Sequence, residues 1–170
     1  GNITQSGVLS VGGTTAITAG VDAVSFDTAS NNFIGPVSII SGKNVSLLDT
    51  VDNLTLGDIN VSGDLNAEAK GGDLLLSGDI VKASGTDATA TLKATGNITL
   101  ADTKKIESAS GKLNTILWSD TDANGGGILL NNNSTITTNG GHLWMGGGSG
   151  TADWNGLTVG DGYALGKDFG

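Results

Sequence analysis

The chain lacks cysteine and arginine, and it has no long apolar run. Without cysteine, disulfides and thiolate metal sites are excluded. Lys and Arg together number 8 against 17 Asp and Glu, for a net charge of −9. Phosphate recognition needs clustered cations, so this balance argues against nucleic acid and against an anionic membrane surface as partners. No apolar run approaches the roughly 18 residues of a membrane-spanning helix, so no membrane span is predicted.

Proline and aromatic residues are also scarce, at 1 Pro and 4% aromatics, while glycine is abundant at 29 residues. The strong helix formers Glu and Gln are nearly absent, which disfavours helices. Apolar residues instead alternate with polar ones in short runs such as Leu54–Leu56 and Ile98–Leu100, bounded by Gly, Asn, Asp or Ser. This pattern is typical of strands and turns, and 170 residues suffice for one domain with a real core. The sequence predicts an all-β chain.

Short motifs recur along the chain. NVSLLD (44–49), NLTLGD (53–58) and NITLAD (97–102) are variants of one hexapeptide, and GDINVSGD (57–64) resembles GDLLLSGD (72–79). Self-similarity in strand-plus-turn units indicates a stacked solenoid. We therefore predict a parallel β-helix with irregular coils of about 20 residues, which gives roughly eight coils and a rod on the order of 40 Å long.

A β-sandwich is the alternative architecture, because it is built from similar short strands. It would predict more aromatics, longer turn spacing and no repeated hexapeptides, so the β-helix is favoured. Its narrow core suits small and branched aliphatic side chains, and its tight corners suit Gly and Asn, which accept positive φ. The Asp residues of the Gly-Asp turns are expected to hydrogen-bond their own backbone.

The runs GNITQSG, GDLLLSGDI and GNITLAD, with residues 115–148, resemble filamentous-haemagglutinin-type passengers. These are large exoproteins of Gram-negative bacteria, exported by two-partner secretion or autotransport. The resemblance implies a right-handed β-helix, a place outside the cell or on the bacterial outer surface, and adhesion or scaffolding as the task. Secretion-domain signatures are not evident, so we expect an internal segment. Its partners would be neighbouring coils of a longer chain, and host-cell or matrix glycans or proteins.

The chain divides by composition near its C-terminal end. Residues 1–145 carry the alternating pattern and are predicted to form the β-helix coils. Residues 146–170 carry many glycines and little alternation, yet they contain apolar side chains that favour burial. We predict a Gly-rich loop or a final irregular coil packed on the rod.

The stretch SDTDANGGG (119–127) spaces Asp120, Asp122 and Asn124 like the ligands of a calcium loop. It is not an EF-hand, because Asn131 stands where a bidentate Glu is needed and the flanks read as strands. Two interpretations remain. Favoured is a wide turn with solvated carboxylates; the alternative is a looser calcium site built from these three side chains and backbone carbonyls.

Aromatic residues concentrate near the C-terminal end. With Leu143 and Met145 on the core face, the alternation directs His142 and Trp144 outward. Trp144, His142 and Trp118 are therefore candidate glycan-binding residues, since an outward Trp can stack on a sugar ring. The alternative is that the aromatics pack under residues 146–170. A co-planar outward Trp pair would favour carbohydrate binding.

Catalytic signals are weak. A Ser-His-Asp arrangement would need His142, the single histidine, and nothing in the sequence places a carboxylate behind it. A paired-carboxylate, polysaccharide-degrading β-helix is a further alternative, because 15 Asp residues allow some suitable pair. We expect no catalytic residues and no cofactor, unless calcium binds. The expected role is a structural and adhesive segment acting as rigid stalk and display surface, with a carbohydrate-binding module as the alternative.

Overall fold

The structure is a computed structural model and describes residues 1–164. Within that range the chain forms strands and turns without an α-helix. Consequently none of these residues belongs to a helix long and apolar enough to cross a membrane.

Nineteen strands follow one another within the described residues 1–164. The first six are β1 (Ile3–Thr4), β2 (Ser10–Val11), β3 (Thr15–Thr18), β4 (Val24–Phe26), β5 (Asn32–Phe33) and β6 (Val37–Gly42). The next eight are β7 (Val45–Asp49), β8 (Leu54–Val61), β9 (Leu65–Ala69), β10 (Leu74–Leu76), β11 (Ile80–Lys82), β12 (Ala88–Ala94), β13 (Ile98–Leu100) and β14 (Lys105–Ser108). The last five are β15 (Leu113–Trp118), β16 (Ile128–Leu130), β17 (Thr135–Thr137), β18 (Leu143–Trp154) and β19 (Leu157–Gly162).

The strands stack into coils around three faces. The first face is one parallel sheet in the order β1-β4-β7-β9-β12-β15-β18. A second sheet covers the other two faces, since the long strand β8 pairs with β10 at its start and with β11 at its end. A short pair, β2 and β5, continues the second face in the first two coils. The predicted β-helix is confirmed.

The predicted number of coils was wrong. The structure contains about 6 coils where roughly eight were expected. Contacts between adjacent coils join residues 20 or 21 apart near the start, then 25 apart, and 28 apart at the last turn. The coils lengthen because extra residues enter the corners, and the residues after Met145 leave the rod. At about 4.8 Å per coil, the rod is on the order of 30 Å long.

The core consists of stacked aliphatic ladders. On the first face the register aligns Val24, Val45, Leu65 and Ala90, all of them buried. On the second face Leu54, Leu74 and Ile98 align in the same way. Fully burying an aliphatic side chain contributes about 1.5–3 kcal/mol, so these ladders contribute much of the stability of the rod.

At the last coil, the inward positions are open. Leu143 aligns with Thr115 and Met145 aligns with Leu117, which places both on the core face. They are nevertheless 38% and 49% exposed, because within residues 1–164 no further coil covers them.

The corners are held by side chains of Asn and Asp that reach from one coil to the next. At the corner between the first and second faces, which we call the second corner, the Oδ1 of Asn53 accepts the N–H of Asp73 at 2.7 Å. The Oδ1 of Asp73 then accepts the N–H of Asn97 at 2.7 Å, and Asn97 in turn accepts the N–H of Gly127 at 3.0 Å. Each acceptor stands directly before a strand. We call this set of contacts the corner ladder.

Shorter ladders occupy the other two corners. The further acceptor–donor pairs are Asn2–Ala23, Asn44–Asp64, Asp64–Thr89, Asp87–Lys112, Asn114–His142, Asp58–Asp79 and Asp79–Lys105. The expectation that these Asp residues bond their own backbone was therefore wrong. In an isolated tight turn, the nearest free N–H groups belong to the backbone of the turn itself. At a solenoid corner the next coil runs about 4.8 Å away, and its N–H donates to the Asx oxygen instead.

Glycine precedes three of these Asx residues for a steric reason. A β-carbon there would collide with the Asx oxygen of the coil below, and at none of the three is φ positive. The pairs are Gly63 against Asn44, Gly72 against Asn53 and Gly96 against Asp73. In these three Gly-Asp and Gly-Asn dipeptides, glycine is therefore required because two coils approach closely, and not because the backbone adopts a special conformation.

Replacing Gly96 by Ala should destabilise the rod by about 1–3 kcal/mol, since the Asp73 side chain must move and release the Asn97 N–H. Gly12→Ala is the matched control, because no atom lies within 4 Å of its added β-carbon. Urea unfolding followed by circular dichroism measures both. In an Asp73→Ala background the effect of Gly96→Ala should shrink; an undiminished effect would show that the collision is not its cause.

Residues 143–162 begin a seventh turn and then leave the rod. The first part of β18 pairs in parallel with β15, from Leu143 to Gly146. From Gly147 onward β18 pairs antiparallel with β19. The two strands meet at Asn155 and Gly156, both at positive φ, as a two-residue hairpin turn requires. The segment predicted as a loop or final coil, 146–170, therefore contains a β-hairpin, and its residues 165–170 lie outside the described part of the chain.

Candidate functional site

The hairpin lies against the outer side of the first face. Ile116 and Trp118 alternate with the inward residues of β15 and so point away from the main core. Val159 of the hairpin is buried against them, with Trp144 and Leu157 packed alongside. The indole Nε1–H of Trp118 donates to the carbonyl of Gly148 at 2.7 Å, which anchors the hairpin to the rod. This second, smaller core fixes where the hairpin sits.

The three candidate glycan-binding residues are not equivalent in the structure. Trp118 is only 4% exposed, Trp144 is half-buried and His142 is exposed. The rings of Trp118 and Trp144 meet edge to face, 6.3 Å apart and inclined by 75°, so they do not form a co-planar pair. His142 instead packs edge-on against Trp154, with ring centroids 5.5 Å apart. A flat aromatic platform is therefore not built from Trp118 and Trp144.

A cleft of about 380 Å³ opens beside Trp118, between the first face and the hairpin. Its floor is a row of outward residues on adjacent strands, where Glu68, Lys93 and Trp118 share one register. One wall is the turn at Thr121 and Asp122, and the other is the hairpin strand. We call this feature the hairpin cleft.

The floor of the hairpin cleft combines opposite charges. The ammonium of Lys93 lies 4.4 Å from the centre of the Trp118 ring, a cation–π distance. Lys70 and Glu68 form a loose ion pair at 3.9 Å. Asp122 adds a second carboxylate at the rim. Two ammonium groups and two carboxylates leave the cleft close to neutral, unlike the chain as a whole.

Charge pairs also occur away from the cleft. On the third face the Nζ of Lys105 donates to Glu107 at 2.7 Å. This hydrogen bond is the main cause that raises the pKa of Lys105 above its ordinary value, although the desolvation of the ammonium acts in the opposite direction.

Two fully buried charged side chains belong to the corners. The Nζ of Lys82 donates to the backbone carbonyls of Ser84, Gly85 and Ser110. Asp49 accepts backbone N–H groups from Phe33 at 2.7 Å, Val51 at 3.0 Å and Asp52 at 3.2 Å. Both charges satisfy backbone groups that would otherwise be buried without partners, so their roles are structural.

The acidic turn 119–127 places its three predicted ligands in different environments. Asp120 is buried, at positive φ, and its Oδ1 accepts the N–H of Gly125 at 2.7 Å. Asp122 is exposed and accepts both the backbone and the side-chain N–H of Asn124, at 3.2 and 3.0 Å. Within residues 1–164 no three His, Cys, Asp or Glu side chains group together in a way that could hold a metal ion.

These contacts describe a turn stabilised by its own side chains, and calcium binding by Asp120, Asp122 and Asn124 stays a prediction. Both carboxylates already accept N–H donors, and a cation would compete with those donors for the same oxygens.

The double variant Asp120→Asn and Asp122→Asn tests the turn. Asn at 120 and 122 keeps an acceptor oxygen for the backbone N–H groups of Gly125 and Asn124 and tolerates positive φ. Only the exposed bond from the Asn124 side chain loses its acceptor, so the unfolding midpoint should change little. We expect the same midpoint for the parent in calcium and in chelator, measured by differential scanning calorimetry. A midpoint that rises with calcium in the parent but not in the variant would establish the stretch as a calcium site.

Sequence reasoning missed most of the hairpin cleft. Asn155-Gly156 between two apolar runs is a hairpin signal that could have predicted β18 and β19. Lys93 and Glu68 carried no comparable signal, because an outward charged residue on a strand usually faces solvent.

Comparison with known proteins supports the repeat architecture. A protein family described as repeats of unknown function (DUF5649) matches residues 1–40 and 42–105. These two stretches cover the first four coils and most of the fifth, up to the start of β14. Neither a curated protein nor a solved structure matches the chain. The repeated β-solenoid fold is consistent with a structural role. The family match spans more than half of the sequence, and the chain therefore belongs to the DUF5649 family of repeats.

Proposed function

We propose that the chain is a rigid segment of a bacterial exoprotein, which acts as a stalk and display surface outside the cell. The observation that carries the proposal is the parallel register of the first face, which continues without a shift from the first coil to the last. A parallel ladder of this kind joins each coil to the coils beside it. A longer chain can therefore form a longer rod by adding coils that extend the same core.

The use of carboxylates supports a passive role. Asp58, Asp64, Asp73, Asp79 and Asp87 each accept a backbone N–H of the next coil. These carboxylates already form structural hydrogen bonds between coils, whereas a glycosidase needs two carboxyl groups that face one glycosidic bond of the substrate. We therefore propose that the segment is not an enzyme.

The resemblance to filamentous-haemagglutinin-type passengers supports the location. A chain without cysteine gains no rigidity from disulfides, and here intercoil hydrogen bonds and aliphatic ladders provide it. Proposed partners are neighbouring coils of a longer chain and glycans or proteins of a host cell or matrix. Adhesion would then use outer side chains and the hairpin, since the inner ones form the core.

Single-molecule pulling tests the stalk. With handles at Gly1 and Tyr163, we expect little extension until whole coils detach, in steps of roughly 70–100 Å, because an extended residue spans about 3.3–3.6 Å. The weakened Gly96→Ala variant should detach its central coils at lower force than the Gly12→Ala control. Smooth lengthening without steps would contradict a rigid segment.

Antibody labelling of intact bacteria tests the location. Antibodies raised against residues 1–164 should label whole cells of the bacterium that carries the gene, and brief external protease treatment should remove the label. A cytoplasmic marker protein serves as the control for cell integrity. Labelling that requires lysis would place the protein inside the cell and overturn the proposed location.

A further inference from the structure

We propose that the hairpin cleft binds a neutral saccharide, an inference that rests on the proposed display role and assigns it a site. At this cleft the outer surface of the rod is concave, because the hairpin stands beside the row formed by Glu68, Lys93 and Trp118. Two clefts of about 330 and 380 Å³ also lie along the regular coils, but neither of them combines charges of both signs. The volume of the hairpin cleft, about 380 Å³, falls within the range of small-molecule sites, roughly 300–1,000 Å³. This space suits a mono- or disaccharide.

The groups around the cleft match the hydroxyls of a sugar. Four hydroxyl-bearing residues line the space, namely Thr95, Thr121, Ser149 and Thr151. The Thr95 hydroxyl donates to the backbone carbonyls of Lys70 and Gly72, so it offers a ligand an acceptor only. A hydroxyl donates one hydrogen bond and accepts others, as each sugar hydroxyl does. Carboxylates and ammonium groups bond the same hydroxyls more strongly, because charge-assisted hydrogen bonds are about twice as strong as neutral ones.

The balance of charge selects a neutral ligand. Lys93 and Lys70 would attract an anion, but Glu68 and Asp122 line the same cleft and would repel it. A cation would be attracted by the two carboxylates but repelled by the two ammonium groups. A ligand without net charge is therefore favoured, and a neutral polyol can use both signs at once, by donating to the carboxylates and accepting from the ammonium groups. The hydroxyl-bearing residues of the lining favour a polyol over a zwitterion.

Trp118 positions the site rather than stacking on the ligand. Its ring is held on three sides: by the bond to Gly148, by the Trp144 edge and by the Lys93 ammonium. Held in this way, the buried indole fixes the position of the Lys93 ammonium on the floor. The CH faces of a sugar ring can pack on the aliphatic stem of Lys93.

Isothermal titration calorimetry with lactose, cellobiose and N,N′-diacetylchitobiose tests the proposal, with a sulfated heparin disaccharide beside them. We expect at least one neutral disaccharide to bind and to shift the Trp118 indole N–H resonance in a saturable way. Lys93→Met, which keeps most of the stem, and Thr151→Arg, which fills the cleft, should each weaken binding about tenfold or more. Thr158→Arg, at an exposed position on the same hairpin, is the matched control and should leave binding unchanged.

Three results would overturn the saccharide site. The first is that no neutral disaccharide binds at concentrations of tens of millimolar. The second is preferential binding of the sulfated disaccharide, which would assign the cleft to anions. The third is binding that survives Lys93→Met and Thr151→Arg but is lost in Trp144→Ala, which would place the site outside the cleft. None of these would alter the stepwise unfolding or the surface labelling, so a failed site and a failed stalk are distinguishable.

Discussion

The structure depends on one hydrogen bond repeated at its corners, from the backbone N–H of one coil to the Asx oxygen of the coil before it. Strand ladders align the flat faces, but a corner interrupts them and leaves N–H groups without strand partners. At the second corner Asn53, Asp73 and Asn97 fill this gap in three consecutive steps. The same residues fix the register, since a shift of one residue would turn the aliphatic face outward.

The corner ladder explains features of the composition that otherwise have no common cause. Asp and Asn are interchangeable as acceptors, so acidic charge accumulates at the corners as part of the framework of the rod. Glycine is required where two coils approach at the acceptor, as at Gly96 above Asp73. Proline would remove the very N–H that the ladder uses, and the chain contains one. The hexapeptide repeats are this corner chemistry followed by an inward aliphatic residue.

The fold could be predicted from the sequence because its determinants are local and repeated. The alternation in Leu54–Leu56 and Ile98–Leu100 predicts the strands, and the recurring Asn before each of them predicts the corners. The number of coils could not be predicted in this way, since inserted corner residues carry no hydrophobic signal. The direction of the Asp side chains was also hidden, because a local turn and a solenoid corner share the same Gly-Asp dipeptide.

The hairpin cleft lies beyond local prediction for a different physical reason. It depends on contacts between residues distant in sequence, such as Trp118 with Gly148 and Lys93 with Trp118. The sequence around either residue of such a pair contains no pattern that identifies the other residue as its partner. A regular solenoid repeats its outer surface as it repeats its core, so a cleft along its coils is lined by side chains from successive coils, as in the one formed by Ile40, Asn60 and Ala83. The hairpin cleft differs because the chain leaves the rod at Gly147 and adds a wall that the coils do not supply. A ligand bound there would contact residues of the rod and of the hairpin together, and the site would therefore occur once along the described coils.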